Sequence, residues 1–226
     1  PFANNIQWGI IKDTLNNKKK ENAIHLLNRT VKNYKNKITL IALGSLKTYA
    51  DWIQSNPEII EKIDRIIWYN SFQITDGFNY KISPESFDYI QKTGIKLEIV
   101  SNPGTNYPAD KTYLQYIDSV NSIYAEQILF VHNQNSVKEK IKHNHLHLWD
   151  DLIPIYLTTP LLFDTETKKN TSYISISKHI PANYLNEIIG KLLESSSETN
   201  NRVFSLFPIN ENLYKSEYAD ILKETV

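Results

Sequence analysis

Apolar positions along this chain change period several times, and each change marks an element. From Ile38 to Leu43 five of six residues are apolar, two of them β-branched, which is the pattern of a buried strand. Gly44-Ser45 breaks it. Leu46, Tyr49, Ala50 and Ile53 then recur at helical spacing, so a strand, a glycine turn and a helix follow one another without a gap. The helical pattern is interrupted at Asn56-Pro57, and Pro57 opens a fresh turn as a first-position proline. Ile63 to Tyr69 reads as a second apolar strand. A polar loop over 70–81 comes next, carrying Asn70, Ser71, Gln73, Thr75, Asp76 and Asn79. Ser83-Pro84-Glu85 is a helix start, with Ser83 as N-cap; that helix runs to about Lys92 and closes at Gly94. Ile95 to Val100 is a third strand.

Upstream, Ala23, Ile24, Leu26, Leu27 and Val31 give an amphipathic helix. Downstream, 105–142 is mainly helical, and 148–157 keeps a helical repeat that Pro154 interrupts. Ser172 to Ser177 alternates as a strand does, Tyr184 to Leu193 is an amphipathic helix, and Ser195 to Asn201 is a loop. A short strand over 203–209 and a helix from Tyr214 are expected at the end. Strands alternating with helices imply an α/β fold, a mainly parallel open sheet with helices on both faces. The whole of 1–226 is expected to be a single domain. The turns after the three strands, at Gly44-Ser45, 70–79 and 101–104, then share the rim where open α/β sheets place their ligands.

Charge narrows the partners. The 25 basic and 25 acidic residues balance, and no basic patch with interleaved aromatics stands out, so nucleic acid is not an expected partner. Lys18-Lys19-Lys20 is followed by Glu21 and reads as a solvated stretch. No apolar run approaches membrane-spanning length. Without cysteine there is neither a disulfide nor a thiolate metal site. Methionine is absent too: either the chain is an internal piece of a longer protein, or modified methionines have dropped out of the sequence. His143, His145 and His147 alternate and would share one face of a strand, a transition-metal pattern. Lys142 and Asn144 between and beside them point instead to an exposed connection.

Three stretches in order carry a resemblance. Ala42-Leu43-Gly44-Ser45-Leu46-Lys47-Thr48, with Asn56-Pro57-Glu58 after it, is similar to the Ala-Leu-Gly-Pro-Leu-Thr-Asn strand end and Asp-Pro-Glu segment of the nucleoside hydrolase family, inosine-uridine preferring type. The stretch from Gly77 to Asn102 resembles that family's Glu-Phe-Asn segment with its following helix and strand. Leu148-Trp149-Asp150-Asp151-Leu152 onward resembles its His-Asp-Pro segment. The resemblance spans about residues 38–163.

It implies hydrolysis of the N-glycosidic bond of a ribonucleoside or related N-riboside. In that chemistry a calcium ion (Ca2+) orients a water and grips the ribose hydroxyls, and the transition state has oxocarbenium character. Carried over position by position, the Leu43 carbonyl and the Asp150 carboxylate match calcium ligands, Asn79 matches a ribose-binding asparagine, and Phe78 the aromatic beside it. Trp149 stands where the family has a leaving-group histidine and would wall the base. Gly77 stands where it has a ribose-contacting glutamate. The family's aspartate-rich run, source of most calcium ligands and of the general base, is not in this sequence, so that strand and the base are expected upstream of Pro1. Read without the family, Asp150 is a helix-start acid and Trp149 a wall aromatic. The departures keep a second expectation open, a non-catalytic module that binds a sugar or nucleoside in the same cleft. Assembly into a homo-oligomer is likewise open.

Overall fold

A computed structural model describes residues 22–103, 107–177 and 180–197, without the side chains of 195–197. The strand expected over 203–209 and the helix from Tyr214 lie outside the described residues. The element order is α1 (Ala23–Asn33), β1 (Ile38–Ala42), α2 (Lys47–Ser55), β2 (Ile63–Tyr69), α3 (Phe78–Ile82), α4 (Pro84–Lys92), β3 (Lys96–Ser101), α5 (Lys111–Ser119), α6 (Ile123–His132), α7 (Asn135–Lys142), α8 (Leu152–Thr158), β4 (Phe163–Lys168), β5 (Thr171–Ile176) and α9 (Ala182–Ser197). Short 3-10 turns lie at Pro57–Lys62, Ile74–Asp76 and Pro160–Leu162. Two compact units are formed. Among the described residues, one comprises 22–103 with 149–177 and 180, the other 107–148 and 181–197.

The first unit holds a five-stranded sheet in the order β1-β2-β3-β5-β4. All neighbours pair in parallel except β4 and β5. Alternation sorts the strand residues onto two faces. Leu40, Ala42, Ile66, Trp68, Leu97 and Ile99 form one core with Trp52 and Ile53 of α2 and Phe87 and Ile90 of α4. The buried indole of Trp52 is not left unpaired: its Nε1 donates to Asn28 Oδ1 of α1 at 2.8 Å. The opposite face, through Glu98, Val100 and Ile174, meets α8, whose Tyr156 hydroxyl donates to Glu98 Oε2 at 3.3 Å. Helices therefore cover both faces, as the alternating pattern of the sequence implies.

Several local outcomes differ from the sequence expectations, each for a physical reason. Pro154 sits as the third residue of α8 and does not break it, because an N–H there would have no partner within the helix. Ser83 does occupy the N-cap of α4, but its hydroxyl bonds the side chains of Glu85 and Ser86 rather than a backbone N–H. β4 is a strand the pattern did not announce. Only Phe163 of Phe-Asp-Thr-Glu-Thr-Lys is buried; the rest is a polar edge, which keeps a sheet margin from pairing with other chains. The polar loop after β2 contains the 3-10 turn and the five-residue helix α3.

The second unit is mainly helical over its described residues, with an antiparallel bridge between Pro108 and His147. The stretch 107–142 resolves into α5, α6 and α7, with Asp110 and Ser122 capping the first two through their side chains. Tyr113, Leu114, Ile117, Leu129, Leu185 and Ile189 are buried in it. α5 and α9 pack closely at Gly190, where a Cβ would come within 2.2 Å of the Tyr116 ring. No described helix is long and apolar enough to cross a membrane.

Candidate functional site at the carboxyl rim of the sheet

The turn after β1 is held from two sides. Trp68, one residue before the end of β2, donates its Nε1 hydrogen to the Gly44 carbonyl at 2.9 Å. Asn79, in the first turn of α3, donates from Nδ2 to the Leu43 carbonyl at 3.2 Å and to the Tyr69 carbonyl at 3.0 Å. Both amide hydrogens of Asn79 are spent on two carbonyls, which fixes the orientation of the carboxamide. Its Oδ1 keeps its acceptor capacity. Leu43 presents a carbonyl at the rim while its own side chain stays exposed, so the identity of that side chain does not decide what the carbonyl can bind.

Asn79 is aimed by a loop wound around Asn70. The Asn70 backbone N–H donates to the Val100 carbonyl at 3.1 Å, tying the ends of β2 and β3 together. Its Nδ2 donates to the Ile74 carbonyl at 3.0 Å inside the 3-10 turn. Gly77 closes that turn with an N–H to the same carbonyl, and its own carbonyl accepts from Lys81 to begin α3. A Cβ at residue 77 would lie 2.0 Å from Asn70 Oδ1, so any side chain there would have to displace the Asn70 carboxamide. This explains a glycine where the resemblance has a glutamate. The sequence carries a signal for the lock only in Gly77 itself.

The acidic part of the rim comes from the turn into α8. The N–H groups of Leu152, Ile153 and Ile155 close on the carbonyls of Trp149, Asp150 and Asp151, which places these three residues at the helix entrance. Burial pushes the Asp150 carboxyl above the usual carboxylate range. Asp151 is pushed up to about 7, by burial first and by the Asp150 charge second. Tyr69 at the end of β2 lies within electrostatic reach of Asp150, and burial together with that charge raises its hydroxyl pKa. The rim therefore joins Leu43, Asn79, Tyr69 and Asp150. Phe78 is 77 % exposed beside Asn79, and Trp149 is 46 % exposed beside Asp150.

Every donor here is an oxygen, and two neighbouring carboxylates suit a hard cation in kind. In number they fall short. Calcium takes about six to eight oxygens, and among the described residues no group of three or more His, Cys, Asp or Glu side chains could hold a metal. The same holds for the alternating histidines. The His143 and His145 rings lie 5.9 Å apart and, with His147, make no metal-holding group.

No protein-family model and no curated protein matches the chain. Solved structures do. The inosine-uridine preferring nucleoside hydrolase from Bacillus anthracis superposes with a TM-score of 0.60 at 17% identity, over 78% of this chain and 66% of that one. The purine-preferring ribonucleoside hydrolase from Gardnerella vaginalis gives 0.58 at 13%, over 78% and 68%. A plant nucleoside hydrolase gives 0.57 at 17%, over 85% and 72%. This chain thus spans about two thirds of the length of those proteins. Its described part has the nucleoside hydrolase-like α/β fold.

Proposed function

We propose that this chain serves the hydrolysis of the N-glycosidic bond of a ribonucleoside or related N-riboside, giving the free base and ribose. The observation that supports this best is the Asn79 carboxamide, locked between the Leu43 and Tyr69 carbonyls with Oδ1 left to accept from a sugar hydroxyl. In this proposal Asn79 orients the ribose, and Phe78 and Trp149 supply exposed aromatic surface against the base. Asp150 and the Leu43 carbonyl would contribute two oxygens to a calcium ion, fewer than the about six to eight it takes. When bound, such an ion supplies Lewis-acid polarisation of water and a grip on vicinal hydroxyls. Negative charge at Asp150 favours positive charge developing on the sugar as the C–N bond lengthens. No general base is assigned to a described residue.

The test is a reducing-sugar assay of the full-length protein on a panel of purine and pyrimidine nucleosides, with and without a calcium chelator. Ribose release that the chelator abolishes, and that Asp150→Asn and Asn79→Ala lower by about a hundredfold or more, is the expected result. No release from any nucleoside, with calcium present, would sink the hydrolase proposal.

A second reading has its own support: a non-catalytic module that binds a nucleoside or sugar in the same cleft. The short supply of carboxylates at the rim favours it. So does a neighbour at a TM-score of 0.60 and 12% identity, over 78% of this chain and 65% of that one, the type III effector protein XopQ, whose structure was solved with adenosine diphosphate ribose. Calorimetry separates the two. Binding of a nucleoside or of adenosine diphosphate ribose without turnover selects the module.

A further inference from the structure

We propose a second ligand site, for a neutral sugar, on the face of the sheet opposite Glu98. A cleft of about 440 Å³ opens there between the rim loop at Ser71–Gln73 and the β4–β5 hairpin. Its size is that of a small-ligand site. The floor alternates along two parallel strands: Ile99 and Ser101 from β3, Tyr173 and Ser175 from β5. Those positions face away from Glu98, Val100 and Ile174, and so away from α8 and the acidic turn that leads into it. The cleft shares the loop after β2 with the rim site, but none of Leu43, Tyr69, Asn79 and Asp150 lines it, and its assignment does not depend on the function proposed for them.

The lining chooses the ligand class. One wall is β4, where Asp164 and Glu166 stand opposite Ser175 and Tyr173 in the antiparallel register and so share the floor's face. The other wall carries Phe72 and Gln73. Lys168 pairs with Glu166 at 2.9 Å and sits 5.6 Å from the centre of the Tyr173 ring. That ammonium neutralises one carboxylate and covers the tyrosine, leaving Phe72, 52 % exposed, as the open aromatic platform. Two carboxylates against one lysine disfavour a phosphate or any other anion. The hydroxyl, amide and carboxylate groups that share the lining with Phe72, Ile99 and Tyr173 disfavour a purely apolar ligand. Among the described residues no group of three metal-ligating side chains exists to hold a cation.

A sugar ring satisfies what remains. Its C–H face stacks on Phe72, and its hydroxyls donate to Asp164 and accept from Gln73. The Ser101 hydroxyl, which donates to the Ile174 carbonyl at 3.3 Å, keeps lone pairs for a further hydroxyl.

The experiment is a titration of the isotope-labelled full-length protein with D-glucose, D-ribose and maltose, read by amide chemical shifts and by saturation transfer to the sugar. The expected result is millimolar binding with shifts centred on Ser101, Glu166 and Tyr173, and saturation strongest on ring C–H protons. Phe72→Ala and Asp164→Asn should each weaken binding by about tenfold. Both are surface changes, and an unchanged circular dichroism spectrum shows that the fold is kept. No shifts with any of the three sugars would overturn the proposal. So would shifts confined to Asn79 and Asp150, or an equal response of the cleft to calcium chloride alone.

Discussion

Asn70 Oδ1 occupies the place that a side chain at residue 77 would need, 2.0 Å from where its Cβ would stand. Gly77 has a φ of −64°, a conformation open to any residue, so backbone freedom is not why glycine is there. The reason is contact. Gly77→Ala must push aside a buried carboxamide and break its bond to the Ile74 carbonyl. The expected cost is about 1–3 kcal/mol in a urea titration. Asn70→Ala removes the obstacle, so the double variant should be more stable than the two single losses added together. Strict additivity would show that the two residues do not share a lock.

Asn79→Asp is nearly isosteric, yet it should be worse than Asn79→Ala. The aspartate replaces two donated hydrogens with a charged oxygen facing carbonyls at 3.2 and 3.0 Å. Alanine only leaves those carbonyls unpaired at a half-open rim. The aspartate variant is expected to lose about 1–3 kcal/mol, with the larger drop in melting temperature of the two. An aspartate variant as stable as the parent would mean that the carboxamide does not bridge the carbonyls.

How much of this was legible depended on burial. β1, β2, β3 and β5 are buried on one or both faces, so their apolar runs stand out in the sequence. β4 is an exposed edge, and its alternation of Thr with charged residues carries no hydrophobic signal. α3 was hidden for a related reason. Its large apolar residues Phe78 and Ile82 face solvent, so no buried stripe reports a helix within the polar loop. Leu43, Asn79 and Asp150 stand out as site residues only through resemblance; a backbone carbonyl such as that of Leu43 leaves no side-chain signature. The Asn70–Gly77 lock joins residues through tertiary contact and has no periodic trace at all.

Glu98 is almost wholly buried between β2 and β5 and is held by three partners: Arg65 Nη1 at 3.1 Å, Lys96 Nζ at 2.6 Å and the Tyr156 hydroxyl at 3.3 Å. Arg65 bonds both carboxylate oxygens and is mostly buried, whereas Lys96 is half exposed. The order of losses follows from solvent access. Arg65→Ala should cost about 2–3 kcal/mol, since it strands a buried charge that water partly reaches. Lys96→Ala should cost under about 1 kcal/mol, as a largely screened pair. Equal losses in chemical denaturation would place the two cations in the same environment.

His132 makes the helical unit sensitive to acid. Burial holds its pKa down to about 4 against an ordinary 6.5, with the ring packed edge-on at 5.8 Å from Tyr113. Between these two values the unfolded chain binds a proton that the folded one does not. Stability from this group is therefore complete above pH 6.5 and drains away as pH falls toward about 4. The shift amounts to about 3 kcal/mol at most. His132→Gln keeps a polar side chain but has no proton to gain in this range. Melting temperatures followed from pH 7.5 to pH 4 should fall more steeply for the parent chain than for this variant, with the two curves separating below about pH 6.5. Parallel curves would mean that the imidazole stays solvated enough to protonate in the folded state.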